Sequence, residues 1–96
     1  MRRAARIDAN QTELVEFFRK AGASVLCTHT LGQGAPDIIV GYRGLNELVE
    51  IKDGDKPPSQ RKLTPDEKEF HLDWKGSIYV VKSIEDAKSL LKEMSA

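Results

Sequence analysis

The chain has 96 residues, of which 15 are Lys or Arg and 15 are Asp or Glu, so its formal net charge is zero. This length suits one domain with a single modest core, and we expect residues 1–96 to form it. Zero net charge argues against a uniformly basic nucleic-acid-binding protein, although local basic patches can still steer a polyanion. There is no apolar run of about 18 residues, so we expect no membrane span.

The N-terminal residues and the single cysteine bear on the cellular compartment in which the protein is expected. The first residues include Arg2, Arg3 and Arg6 but no apolar run follows them, unlike a secretory signal. The single cysteine, Cys27, lies in an apolar run and cannot form an internal disulfide. We expect a buried, inert thiol and a reducing compartment, the cytoplasm.

The first third of the chain predicts a helix, a strand and a loop. The helix spans about residues 10–21, because Asn10-Gln11-Thr12-Glu13 fits a capping box and Gly22 suits a helix end. Its buried stripe would be formed by Leu14, Phe17, Phe18 and Ala21. A strand over about 24–28 follows, and two glycines and a proline then predict an irregular loop over 30–36.

The central third predicts a β-hairpin, with arms at Asp37–Tyr42 and Glu47–Lys52 and its tip at Arg43-Gly44. Strand alternation places Glu50 and Lys52 on one face and turns Ile51 the other way. Folding the hairpin brings Asp37 beside Glu50, directly opposite or one diagonal step away. Two carboxylates and an ammonium group then converge, which suits a hard divalent cation with a lysine to orient or activate a water.

The last third predicts a helix, a strand and a helix. After a polar loop, Thr64 and Glu67 form a capping box around Pro65, and this helix should end near Lys75. A strand spans 77–82, and a final helix opens at Ser83. The apolar stripe of that helix would be Ile84, Ala87, Leu91 and Met94. The order α-β-β-β-α-β-α requires a crossover, so we expect an α/β fold with a mixed central sheet flanked by helices.

In this order of elements, Asp37, Glu50 and Lys52 resemble the PD-(D/E)xK nuclease superfamily. Within it the chain resembles the small stand-alone VRR-NUC nucleases of phages and bacteria. The matching stretches are Gly34-Ala35-Pro36-Asp37, the apolar strand 38–41, the turn 42–44, Val49-Glu50-Ile51-Lys52 and residues 59–65. The resemblance implies a restriction-endonuclease-like core, Mg²⁺ or Mn²⁺ as cofactor, DNA as substrate, and a bacterial or phage-infected cytoplasm.

The resemblance also implies roles for the hairpin residues. Asp37, Glu50 and the backbone carbonyl of Ile51 would be metal ligands. Lys52 would position the attacking water or stabilise the charge that develops on the phosphate. The residues alone leave another interpretation open, in which Asp37, Lys52 and Glu50 form a salt-bridge ladder on an exposed strand face.

Gln11 occupies the place where many members of the superfamily carry a carboxylate on the first helix, and Glu13 follows two residues later. A helical wheel points Gln11 toward the sheet. We expect Gln11 either to act at the catalytic site, contacting a metal-bound water or a phosphate, or to fill a buried hydrogen bond.

Further residues are candidates for DNA contact, namely Arg2, Arg3, Arg6, His29, Gln60, Arg61 and Lys62. Their alternative is an ordinary solvated surface charge or loop side chain. In the second predicted helix, capping explains Glu67, and the face that Glu67 shares with Phe70, His71 and Trp74 is expected to be mostly core, with His71 partly buried.

The resemblance implies a structure-selective DNA endonuclease like Holliday junction resolvases. A four-way junction needs two symmetric cuts, so such an enzyme would act as a homodimer. Three alternatives remain from the sequence: a non-catalytic nucleic-acid-binding protein on the same fold, a nickase or flap nuclease, and a purely structural dimer module.

Overall fold

The computed structural model describes residues 8–96, and this part of the chain forms three α-helices and four β-strands. Their bounds are α1 Gln11–Lys20, β1 Ser24–Cys27, β2 Ile38–Tyr42, β3 Leu45–Ile51, α2 Pro65–Asp73, β4 Ile78–Val81 and α3 Ile84–Met94. The predicted element order is confirmed. The predicted DNA contacts Arg2, Arg3 and Arg6 lie outside the described residues.

The sheet has the strand order β1-β2-β3-β4. The first two pairings are antiparallel and β3 pairs with β4 in parallel, so the predicted mixed sheet is confirmed. The β2–β3 turn is the two-residue turn of Arg43 and Gly44, with φ of 52° and 82°. Positive φ at both positions matches the twist of the flanking strands and fixes their register, pairing Tyr42 with Leu45.

One face of the sheet carries the hydrophobic core. Because side chains alternate along a strand, Ile38 and Val40 of β2 share this face with Val49 and Ile51 of β3, and all four are fully buried. Helices α1 and α3 cover it. Their buried apolar residues are Leu14, Val15, Phe18, Ala87, Leu90, Leu91 and Met94. Leu90 joins the predicted stripe of α3, whereas Ala21, at the end of α1, is exposed.

The opposite face of the sheet is only partly covered, and α2 lies on that side. The prediction that α2 presents a core face is wrong, because α2 has no buried residue. Trp74 is 47% exposed and stacks on Phe70 with ring centroids 5.4 Å apart. The physical reason is that α2 faces the polar side chains of β3, so burial there depends on charge pairing.

Cys27 is exposed, which corrects the prediction of a buried thiol. β1 is an edge strand that pairs only with β2, and Cys27 is its last residue. The side chain therefore opens into a surface cavity beside α1. The prediction of a cytoplasmic location rested partly on a buried Cys27 thiol, and the exposure of Cys27 removes that support. Among residues 8–96, no helix is long and apolar enough to span a membrane.

Candidate active site

Asp37 lies beside Glu50 at the base of the hairpin, where the regular strand pairing ends. Ile38 pairs with Val49, and the N–H of Asp37 also donates to the Val49 carbonyl, at 3.1 Å, one residue out of the regular register. The N–H of Ile51 donates to Oδ2 of Asp37 at 2.7 Å. The side chains of Asp37 and Glu50 line one cavity, so the hairpin brings the two carboxyl groups together as predicted.

The loop before β2 is held in place on two sides. The N–H of Thr28 donates to the Asp37 carbonyl at 2.8 Å, and the Thr28 hydroxyl donates to the Pro36 carbonyl at 2.7 Å. On the other side, Gly34 lies against the backbone of α2, where an added Cβ would be 2.2 Å from the Asp66 carbonyl oxygen. Only glycine fits this approach, and it fixes the Asp37 loop against the start of α2.

Glu50 is a buried carboxyl group without a full set of partners. It is 1% exposed, and its Oε1 has no hydrogen bond. Burial, reinforced by the nearby charge of Asp37, raises the pKa of Glu50 to about 10. In the metal-free protein this group is therefore neutral at pH 7, and a cation beside it would favour the charged form.

Lys52 extends on the same face as Glu50, as predicted. Its Nζ donates to Oε1 of Glu67 at 2.7 Å and lies 3.9 Å from Oε2 of Glu50. Burial alone would lower the pKa of Lys52, but the hydrogen bond and charge of Glu67 outweigh it and raise this pKa. At 8% exposure, Lys52 is a buried ammonium. An exposed salt-bridge ladder therefore does not describe this face.

Glu67 does more than the sequence predicted. The capping box is confirmed, since Thr64 Oγ1 accepts from the Glu67 N–H and the Glu67 side chain accepts from the Thr64 N–H. The missed role is the contact with Lys52. Burial would raise the pKa of Glu67, but its bonds from Lys52 and Thr64 lower it. The capping pattern located the start of α2, but it did not indicate that the Glu67 side chain would contact Lys52.

His71 lies one turn after Glu67 on the same face of α2. Its Nε2 is 3.8 Å from Oε1 of Glu50, and neither atom has a hydrogen-bond partner. Burial lowers the pKa of His71, although the charge of Glu67 partly opposes this. The imidazole is therefore neutral at pH 7, and it is half-buried as predicted.

These side chains line a cavity of about 450 Å³. Its walls bring together the predicted site residues Asp37, Glu50, Lys52, Gln60 and Lys62 with Asp8, Lys56 and Glu67. Asp8 is a further residue that sequence reasoning missed. Burial raises the pKa of its carboxyl group, partly offset by the charge of Lys52. No local pattern marks Asp8, because it precedes the first helix and reaches the cavity only through the fold.

Other predicted site residues lie elsewhere. Gln11 is buried, as its orientation toward the sheet predicted, but it lines a separate cavity of about 290 Å³ beside β1. His29 lines the same cavity, and its Nδ1 is 3.4 Å from Nε2 of Gln11. Oε1 of Gln11 has no partner. Arg61 is not part of the walls of the larger cavity.

The donor set suits a hard cation that keeps part of its water shell. Within residues 8–96, no three His, Cys, Asp or Glu side chains group as a complete metal site. The side-chain donors are the pair Asp37 and Glu50. The carbonyl of Ile51 points to the Asp37 side of β3, because the N–H and C=O groups of one strand residue face the same neighbour. Two carboxylates and a carbonyl fit Mg²⁺ or Mn²⁺, and the unpartnered Oε1 of Glu50 is consistent with this fit.

Comparisons with known proteins give one informative match. No family model matches the chain, and neither does any curated protein. A solved structure described as a VRR_NUC domain is similar, with 27% identity and a TM-score of 0.63. The match covers 85% of this chain and 89% of that one. The chain therefore has the restriction-endonuclease-like fold of a VRR-NUC domain, and the likeness supports the family resemblance drawn from its residues.

Proposed function

We propose that this protein is a Mg²⁺- or Mn²⁺-dependent endonuclease that hydrolyses phosphodiester bonds in DNA. The observation that carries the proposal is that Asp37 and Glu50 meet in one cavity at the base of the hairpin, with the Lys52 ammonium 3.9 Å from Glu50. The similarity to a VRR_NUC domain supports the assignment to nucleases.

The carboxyl groups and the ammonium group would have different roles in hydrolysis. Asp37, Glu50 and the Ile51 carbonyl would hold the divalent cation. When bound, the ion would lower the pKa of a water and offset charge on the phosphate. Lys52 is protonated, so it has three donors and no acceptor. It therefore acts by donating hydrogen bonds, either to orient the attacking water or to stabilise an oxygen on which negative charge develops.

Basic and amide side chains at the same cavity supply contacts to the DNA backbone. Lys56, Gln60 and Lys62 belong to its walls and offer donors to phosphate oxygens. We include Arg61 in this segment, and Arg2, Arg3 and Arg6, which precede Asp8 in the chain, as further phosphate contacts. His29 and Gln11 would act from the neighbouring cavity, and a direct catalytic role for Gln11 stays a prediction.

The preferred substrate in this proposal is branched DNA, such as a four-way junction, cut by a homodimer. The cavity walls are rich in groups that bind phosphate, which favours recognition of backbone shape over base sequence. Two symmetric cuts in one junction require two copies of the chain, since residues 8–96 form one such site.

The test uses a fluorescent four-way junction, a flap and a plain duplex, each incubated with Mg²⁺. Cleavage should occur preferentially on the junction and should stop with EDTA, with Glu50→Ala and with Lys52→Ala. Lys88→Ala, which removes an exposed lysine on α3, is the matched control and should cut normally. Equal cutting of all three substrates would exclude junction selectivity. Binding without cleavage would favour a non-catalytic DNA-binding protein.

A further inference from the structure

We infer that Glu67 is a positioning residue that sets the place of the Lys52 ammonium in the site. The inference rests on the proposed function for its catalytic consequence, but its structural part stands alone. Among the described residues, two place a carboxyl oxygen within 4 Å of the Lys52 ammonium, Glu67 at 2.7 Å and Glu50 at 3.9 Å. The closer partner is the carboxylate that lies outside the hairpin.

One oxygen atom of Glu67 serves two donors. Its Oε1 accepts from Nζ of Lys52 at 2.7 Å and from the Thr64 N–H at 2.9 Å. The start of α2 and the lysine of β3 are therefore joined through a single atom. Lysine has a long flexible stem, so without this acceptor its ammonium would be free to move toward Glu50.

The position of Glu67 is itself fixed by its surroundings. The neighbouring Asp66 backbone lies against Gly34, where no Cβ would fit, so the loop leading to Asp37 holds the start of α2. One turn later, His71 lies 3.8 Å from Glu50 Oε1, whereas Lys52 approaches Oε2. His71 of α2 thus approaches one oxygen of Glu50, while Lys52, held by Glu67 of the same helix, approaches the other. Glu67 therefore determines which oxygen the ammonium faces.

This role differs from that of a metal ligand. Oε1 of Glu67 is already engaged by two donors, and Lys52 neutralises its charge. Loss of the side-chain oxygens should therefore disturb the chemical step and leave the affinity for a divalent ion unchanged. Because a misplaced group of about 1 Å can cost about 100-fold in rate, the expected loss in kcat is about 10- to 100-fold.

Three variants separate positioning from helix capping. Glu67→Met keeps the length and helix propensity of the side chain but removes both acceptors. Glu67→Gln retains an oxygen at the third helical position, which a capping box accepts. Thr64→Ala removes only the hydroxyl half of the cap. The readouts are kcat and KM on DNA, the Kd for Mn²⁺, and the ¹⁵N NMR signal of the Lys52 ammonium, assigned by its loss in Lys52→Met.

Positioning predicts that Glu67→Met lowers kcat at least about tenfold below Thr64→Ala, with the Kd for Mn²⁺ and the KM for DNA within about threefold of wild type. The Lys52 signal should be present in the wild type, Thr64→Ala and Glu67→Gln, and absent in Glu67→Met. Glu67→Gln should recover most of kcat.

Either of two results would overturn the inference. The first is a kcat in Glu67→Met equal to that of Thr64→Ala with the Lys52 signal retained. The second is a loss of Mn²⁺ affinity as large as in Glu50→Ala, which would make Glu67 a ligand. If the wild type cuts no DNA, the proposed function fails, but the NMR signal still decides whether Glu67 holds Lys52.

Discussion

The carboxylate of Asp37 accepts a hydrogen bond from the backbone N–H of Ile51 at 2.7 Å. This bond ties the residue just before β2 to the strand residue that separates Glu50 from Lys52. Asp37 is therefore held by the backbone of β3 itself and does not depend on a mobile side-chain partner. The two carboxyl groups meet at the base of the hairpin, so the geometry of the site depends on how β2 and β3 pair.

Binding of a divalent ion should stabilise the folded protein. An ion that binds only the native state adds about 2.7 kcal/mol to the free energy of unfolding at 100 times its Kd. We expect Mn²⁺ to raise the Tm of the wild type and to leave the Tm of Asp37→Asn unchanged in a calorimetric scan. Asp73→Asn, at an exposed carboxylate on α2, should respond like the wild type. An equal shift in Asp37→Asn would show that the ion binds elsewhere.

The metal-free protein should lose stability as pH rises. The pKa of Glu50 is about 10 in the fold, mainly through burial, and about 4.3 in an unfolded chain. Between these values the folded state binds more protons than the unfolded state, so the free energy of unfolding falls with pH. Stability from this group is fully present below the unfolded pKa and is lost toward the folded pKa.

Glu50→Gln tests this pH dependence, because the amide resembles the protonated acid. We expect the variant to be more stable than the wild type by about 4 kcal/mol at pH 8 without metal, and similar to it near pH 5. Urea unfolding at several pH values in EDTA measures the difference. Parallel pH profiles for the two proteins would contradict the raised pKa.

Gly34 and Gly32 form a matched pair for testing the contact between the Asp37 loop and α2. Both have positive φ, 78° and 76°, but a Cβ would be 2.2 Å from the Asp66 oxygen at Gly34 and would meet nothing within 4 Å at Gly32. Gly32→Ala should cost about 1–3 kcal/mol through backbone strain, because φ of 76° with ψ of −172° is a conformation that essentially only glycine adopts. Gly34→Ala should cost about 1–3 kcal/mol more through the clash. If urea unfolding gave the two variants equal losses in the free energy of unfolding, the loop would not be in close contact with α2 at Gly34.

Lys62 should contribute to DNA binding through phosphate. In fluorescence anisotropy with a four-way junction in EDTA, Lys62→Gln should weaken binding and reduce the slope of log K against log salt by about 1. Lys88→Gln on α3, away from the cavity, is the control and should keep the wild-type slope. A wild-type slope in Lys62→Gln would remove this residue from the DNA surface.

The parts of the molecule that the sequence predicted well are those encoded locally. The tip at Arg43-Gly44 sets the hairpin register, and strand alternation then brings Glu50 and Lys52 to one face opposite Asp37. Capping residues located both α2 and α3. The similarity to a solved structure described as a VRR_NUC domain supports the fold that these elements form.

The parts that the sequence did not predict depend on how elements pack. The exposure of Cys27 follows from its place at the end of an edge strand, which no local pattern indicates. Phe70 in α2 and Trp74 just after it suggested a core face, yet α2 lies over the polar face of β3. The contact between Glu67 and Lys52 follows from that placement, and so does the presence of Asp8 in the cavity.

A crystal structure of the protein soaked in Mn²⁺, with anomalous diffraction measured at the manganese edge, tests the proposed metal site most directly. We expect one strong anomalous peak about 2.1 Å from carboxylate oxygens of both Asp37 and Glu50, with the Lys52 ammonium nearby. The absence of a peak between these two carboxylates at saturating Mn²⁺ would exclude this metal site.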